Sequence, residues 1–341
     1  MTYRRDMVNK KSIILIIPLH FQFYRELISS LQNTGFEVIF LFITDKPFKY
    51  TSLSERVRSF THKNILLQRN FKKQLIFDRE NKHLLSQLDK IKKKVDYALI
   101  IRSDLLGIET LRNIRNRVGK MVAYQWDGLN RFPSVFDRID LFDRFFVFDE
   151  NDYSDYRNRY TNICLTTNFY LEIPADRDVV VKPKSLCFVG SYLENRMPFI
   201  TELIEFLMKE GFDVNVKLLC TKDKTIRKYK DTGIEFISDP LTYKEMLHHV
   251  QHYEALLDFD NAAIHHGLSF RIFEALFYKK KIITNNLLIK NYDFYHPNNV
   301  FVWDGSNLLK LRDFLNKPFV EIDSSIIEKY SFKNWVKKVL D

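Results

Sequence analysis

Glycine and proline are scarce in this chain, nine of each in 341 residues. That composition excludes a long flexible linker or a low-complexity segment, and no internal repeat is visible. Cysteine is scarcer still. Cys164, Cys187 and Cys220 stand far apart, without the paired spacing of a zinc site or a disulfide framework. Cys187 and Cys220 lie in apolar runs and read as buried thiols in a reducing compartment. No apolar run approaches the roughly 20 residues that a membrane-spanning helix needs. The run Ile13 to Leu19 follows Arg4, Arg5, Lys10 and Lys11, but it is short. It leads into His20 and further structured sequence, not a small-residue cleavage site. Together these absences predict a cytoplasmic protein.

What is present is ordinary for a folded protein: 45% hydrophobic and 28% charged residues. The length is generous for one core and comfortable for two domains. The formal net charge of +10 calls for an anionic partner. Lysines are scattered except for short clusters at Lys90–Lys94 and Lys279–Lys281, and no zinc-finger spacing, basic zipper or aromatic–glycine RNA motif accompanies them. The charge therefore favours a nucleotide diphosphate or an anionic membrane face, with peripheral association on the cytoplasmic side, over nucleic acid.

The first half alternates apolar β-type runs with helical ones. Strands are expected at Ser12–Ile17, Val38–Ile43, Ile65–Leu67, Tyr97–Ile101, Lys120–Gln125 and Arg144–Phe148. Helices are expected at Phe21–Thr34, stopped by Gly35, and at Arg79–Lys94. Between Leu171 and Ser185 the texture changes around Pro174 and Pro183. A second series follows: Leu186–Val189 and Gly190-Ser191, a helix opening at Pro198 and closing at Gly211, strands Val214–Leu219 and Ile234–Ile237, and a helix over Thr242–Val250. Repeated βα units imply two Rossmann-like α/β domains with mostly parallel sheets. The expected division is 1–172, a linker 173–184, 185–325, and a terminal helix 326–341. Ser331 caps that helix, which either crosses back to the first domain or packs on its own.

The stretch Asp258 to Asn286 is the most informative. A short strand ends at Asp258-Phe259-Asp260, a turn carries His265 and His266, and a helix from Ser269 to Lys279 leads to the strand Ile282–Thr284. Its loop lies at the carboxyl end of a strand, where open α/β sheets bind ligands. Leu268, Ile272 and Leu276 recur every four positions and face a core, while Arg271 and Glu274 share another face. A cation in the first helical turn opposes the helix dipole unless an anion lies between them. A diphosphate on the N–H groups of Gly267 to Phe270 and the Arg271 guanidinium removes that conflict. Taken alone, a solvated Arg–Glu pair explains the two residues equally well.

The segment GLSFRIFEALFYKKKIITNN is similar to the nucleotide-sugar-binding segment of GT-B glycosyltransferases, especially those of bacterial surface-polysaccharide and lipopolysaccharide assembly. That resemblance implies two Rossmann-like domains facing a cleft. It also implies a nucleotide-sugar donor, a glycan or glycolipid acceptor, and no cofactor or metal. Many retaining members carry two glutamates eight positions apart, the second gripping the ribose; Glu274 matches the second, and His266 stands at the first. The Gly190-Ser191 turn with Arg196 resembles the glycine turn and basic residue that meet the donor diphosphate. The resemblance thus assigns donor contacts to Gly190, Ser191, Arg196, Gly267, Leu268, Ser269, Arg271 and Glu274. The first strand-to-helix turn, Pro18-Leu19-His20-Phe21, has no glycine, which makes the first domain the acceptor side.

An inverting transfer needs a base at the acceptor hydroxyl. Asp104 and Asp127 end strands of the first half and are the leading candidates, with His20 next and His266 at the donor side. Asp104 as a helix cap and Asp127-Gly128 as a turn are the simpler readings. Adjacent His265 and His266 lack the four-residue spacing of a helical metal pair; His248 and His252 have it without the intervening glutamate. The Trp126, Phe132, Phe136 and Phe142 series reads as core before sugar-stacking. Two rival readings share the architecture: a polyol-phosphate transferase of capsule or teichoic-acid type, and a nucleotide-sugar-binding subunit without turnover.

Overall fold

The computed structural model describes residues 10–43, 48–65, 70–259 and 266–341, with the Lys63 side chain left aside. Two six-stranded sheets are formed among them. The first contains β1 (Ser12–Ile16), β2 (Glu37–Leu41), β3 (Val95–Ile101), β4 (Val118–Gln125), β5 (Arg144–Val147) and β6 (Ile163–Leu165), in the order β2-β1-β3-β4-β5-β6. The second contains β7 (Ser185–Ser191), β8 (Asp213–Leu219), β9 (Ile234–Ile237), β10 (Ala255–Asp258), β11 (Lys281–Thr284) and β12 (Val300–Val302), in the order β12-β11-β10-β7-β8-β9. Every pairing is parallel. Parallel strands covered by helices on both faces need unbroken apolar runs, and β1 (SIILI) is buried at all five positions.

Boundaries differ from the sequence expectations in instructive places. The strand expected at Ile65–Leu67 is not formed at its first residue: Ile65 is the C-cap of a helix, Leu53–Asn64, and Leu67 lies outside the described residues. The helix expected at Arg79–Lys94 runs instead over Phe71–Leu88. Leu84 and Leu88 anchor it in the core, and the lysines that follow form the turn into β3. Strand β6 is only three residues long and carries too little pattern to be read from sequence.

The last helix, Phe332–Leu340, is capped by the Ser331 hydroxyl, which accepts from the Asn334 N–H at 3.2 Å. It packs on the first domain: Phe332, Trp335, Val336, Val339 and Leu340 share one core with Ile13, Leu15, Val122 and Tyr124. Trp335 lies edge-on to Tyr124, with centroids 5.0 Å apart, and donates its indole N–H to the Thr167 carbonyl at 3.0 Å. Trp335→Ala should cost about 3–5 kcal/mol, read as a lower urea midpoint, because it empties this core and orphans that carbonyl.

Candidate functional site

In the second sheet the chain moves outward one way from β7 and the other way from β10, so the strand order reverses between these neighbours. In open α/β sheets such a reversal is the switch point beyond whose strand ends ligands bind. Val189-Gly190-Ser191 closes β7 and Asp258 closes β10. Asp258 is buried, and its Oδ1 accepts from Ser269 Oγ and from Arg271 Nη1, both at 2.8 Å. Arg271 also donates through Nη2 to the Val189 carbonyl at 2.6 Å, with its guanidinium 5.0 Å from the centre of the Phe188 ring. One side chain therefore ties both strand ends together. Among the described residues, the buried Asp258 Oδ2 has no hydrogen-bond partner.

Ser269 occupies the N-cap position of the helix Phe270–Phe277 but makes no capping bond, because its hydroxyl is drawn to Asp258. The first-turn N–H groups thus receive no side-chain oxygen from their own cap residue, although the Ile272 N–H donates to the Ser269 carbonyl at 3.2 Å. Around the β7 end, Ser191 is exposed and Gly190 half-buried. Arg196 is also half-buried, in a short 3₁₀ turn ahead of the helix Met197–Lys209.

Glu274 lies deep in the fold. It is 2% exposed, and Ile272, Phe273, Ala275 and Leu276 around it are buried too. Burial raises its carboxyl to about 7, against the favourable effects of a hydrogen bond from Tyr243 and the Arg271 charge. The every-fourth-residue stripe suggested one buried face. The structure buries a second, because the helix tip also meets the first domain.

That meeting is close. Gly267 lies against Phe148 at the end of β5; a Cβ on Gly267 would fall 2.5 Å from the Phe148 carbonyl oxygen. The His266 N–H donates to Asp149 Oδ2 at 2.7 Å, and the exposed His266 ring has Nδ1 3.6 Å from the same oxygen. Asn168 Nδ2 donates to the Leu268 carbonyl at 2.8 Å, while Tyr124 donates to Asn168 Oδ1. Phe270 packs edge-on to Phe23, Trp126 and Phe169, and Tyr243 packs edge-on to Phe23 with centroids 4.7 Å apart. The carboxyl ends of the two sheets face each other across this seam.

In the first domain, Asp104 and Asp127 are held by a residue that sequence reasoning passed over. Arg102, at the end of β3 with a left-handed backbone (φ 68°), grips Asp104 through Nε at 2.7 Å and Nη2 at 2.8 Å, and Asp127 through Nη1 at 2.9 Å. Gln125 adds a bond to Asp104, and Arg131 pairs with the other Asp127 oxygen. Phe132 lies under the Arg102 guanidinium, 3.8 Å from its centre. Both candidate carboxylates are therefore engaged by cationic or amide donors in this structure. Asp104 caps no helix by its side chain, whereas Asp127-Gly128 does stand in the bend that leads into the 3₁₀ turn Leu129–Arg131. An arginine flanked at a strand end by Asp104 and followed one strand later by Asp127 is the signal that was present.

His20 is exposed at the end of β1, in a turn where Phe21 and Gln22 take left-handed backbones (φ 55° and 56°) without glycine. His248 pairs with Asp176 at 2.6 Å and His252 lies near the Val180 carbonyl. Asp260 and His265 lie outside the described residues, and among the described residues no group of three His, Cys, Asp or Glu side chains could hold a metal. Of the aromatic series, Phe142 is core, Trp126 joins the seam and Phe132 serves Arg102.

No family model matches the sequence, and no curated protein does. Solved structures do match, over nearly the whole chain. The N-terminal domain of a trehalose-6-phosphate phosphatase from Candida albicans aligns with a TM-score of 0.61 at 11% identity, covering 97% of this chain and 96% of that one. OtsA in its apo form gives 0.59 at 11%, covering 96% and 98%. A glycosyltransferase of avilamycin A biosynthesis gives 0.58 at 11%, covering 96% and 95%. The fold is GT-B. At such identities the likeness establishes the architecture and leaves the reaction to the site.

Within the GT-B frame, Glu274 is a buried acid whose proton is held more tightly in the folded chain than in the unfolded one. Its contribution to stability is fully present below about pH 4.5 and is lost as pH rises through about 7. Glu274→Gln, which keeps the acceptor for Tyr243 without the charge, should therefore raise the melting temperature at about pH 8 more than at about pH 5, read by calorimetry across that window.

Proposed function

We propose that the chain is a glycosyltransferase that takes a sugar from a nucleotide-activated donor and passes it, without a metal, to a surface-glycan or lipopolysaccharide-core acceptor. The observation that carries this reading is the Arg271 guanidinium, which joins the Gly190 turn to the uncapped helix tip at the crevice of the second sheet. Its two bonds there use two of five N–H donors. The others, with the N–H groups of Leu268 to Phe270 at the helix tip, the Gly190-Ser191 backbone and Arg196, would receive the departing diphosphate. Glu274, buried against Tyr243, acts as a positioning residue beneath that site. His20, exposed in the turn after β1, and His266, exposed at the seam, are the groups proposed to serve as base.

One observation favours a second reading, a nucleotide-sugar-binding subunit without turnover: Arg102, Gln125 and Arg131 engage both candidate carboxylates. A donor-hydrolysis assay separates the two, since only the transferase releases sugar.

Donor binding itself is tested by melting the chain against a panel of nucleoside diphosphates and nucleotide sugars. A true ligand at about 100 times its Kd adds ~2.7 kcal/mol of stability. Arg271→Ala should abolish that shift, but it also leaves Asp258 buried without a counter-charge, at about 3–5 kcal/mol. The double variant Arg271→Ala with Asp258→Asn should recover much of the stability and still show no shift. Glu274→Gln should keep the shift; losing it would make Glu274 a direct ribose contact.

A further inference from the structure

The helix Leu53–Asn64 is turned inside out. At 100° per residue, Leu53, Val57 and Phe60 fall within about 60° of one another, and they are 79%, 64% and 65% exposed. Ile65, just past the helix end, is 71% exposed. The polar side faces the protein instead. Ser59 is buried and receives a bond from the Tyr50 hydroxyl at 3.0 Å, Glu55 is held by Arg79 at 2.8 Å, and His62 stacks on Phe71 at 3.8 Å. Folding alone would bury the apolar face, so its exposure marks a surface that meets a partner.

The chemistry around the face says which partner. Arg56 and Arg58 are exposed on its two flanks, and Lys63 belongs to the same helix. The helix's one acid, Glu55, is already paired with Arg79. Lys72 and Lys73, exposed in the first turn of the next helix, extend the basic rim. A two-fold dimer through this face would set Arg56 and Arg58 close to their own copies, like charge against like. An apolar stripe bordered by cations, on a chain of net charge +10, complements an anionic bilayer. No helix among the described residues is long and apolar enough to cross a membrane, so attachment is to the surface.

We propose that the Leu53–Asn64 helix docks this chain on an anionic lipid surface, lying in the headgroup plane with Leu53, Val57, Phe60 and Ile65 inserted and Arg56 and Arg58 against lipid phosphates. The inference is independent of the donor site, which lies on the other domain. The test is co-sedimentation of the full chain with phosphatidylcholine vesicles, with and without about 30% phosphatidylglycerol, at low and high salt. The expected result is binding to the anionic vesicles, weakened by salt, and lost by about tenfold or more in Val57→Asp with Phe60→Asp. The melting temperature of that variant should change little, because both side chains are mostly in solvent. Absence of binding to the anionic vesicles overturns the proposal, as does a double variant that sediments like the unaltered chain. A dimer by light scattering that becomes a monomer in the double variant also overturns it, since the face then belongs to a second copy.

Discussion

The half-buried guanidinium of Arg271 holds the second domain's strand ends in place. Its bonds to Asp258 and the Val189 carbonyl cross from one strand end to its neighbour at the point where the sheet's order reverses. Without it, Asp258 would be an uncompensated charge at 1% exposure, and the β7 turn would lose its link to the helix tip. A cation in the first turn of a helix is unfavourable by itself. Here it is tolerated because Asp258 supplies the opposing charge, and the Ser269 hydroxyl is recruited to the same carboxylate instead of capping the helix.

The seam between the domains follows from the same local geometry. With the tip held back on Asp258, Gly267 can lie against the Phe148 backbone, where any side chain would collide. His266 and Leu268 then reach Asp149 and Asn168, and Phe270 enters a pocket of Phe23, Trp126 and Phe169. The terminal helix closes the arrangement from the far side, carrying Trp335 back to Tyr124 and Phe169 of the first domain. Two parallel sheets are thereby set with their carboxyl ends opposed, the arrangement in which two substrates can meet.

Much of the architecture was legible in the sequence because parallel strands buried on both faces leave unmistakable apolar runs, such as Ser12–Ile16 and Ala255–Leu257. The glycine-turn and Arg–Glu segments were legible as motifs, but motif spacing carries no depth. Glu274 shares a helix face with Arg271 in the sequence, and only the fold shows it buried beside Tyr243. Asp104 and Asp127 read as open carboxylates because Arg102 reaches them through a left-handed backbone that no glycine announced. The Leu53–Asn64 helix was missed for the opposite reason: its apolar residues face solvent, and the element expected nearby was the strand Ile65–Leu67 just beyond its end.

The most direct measurement is a structure of this chain with a nucleoside diphosphate bound. Phosphate oxygens are expected within hydrogen-bond reach of the Arg271 guanidinium and of the N–H groups at Ser269 and Phe270, with Gly190 beneath them. A diphosphate bound elsewhere on the chain, with Arg271 making only its bonds to Asp258 and Val189, would contradict that placement.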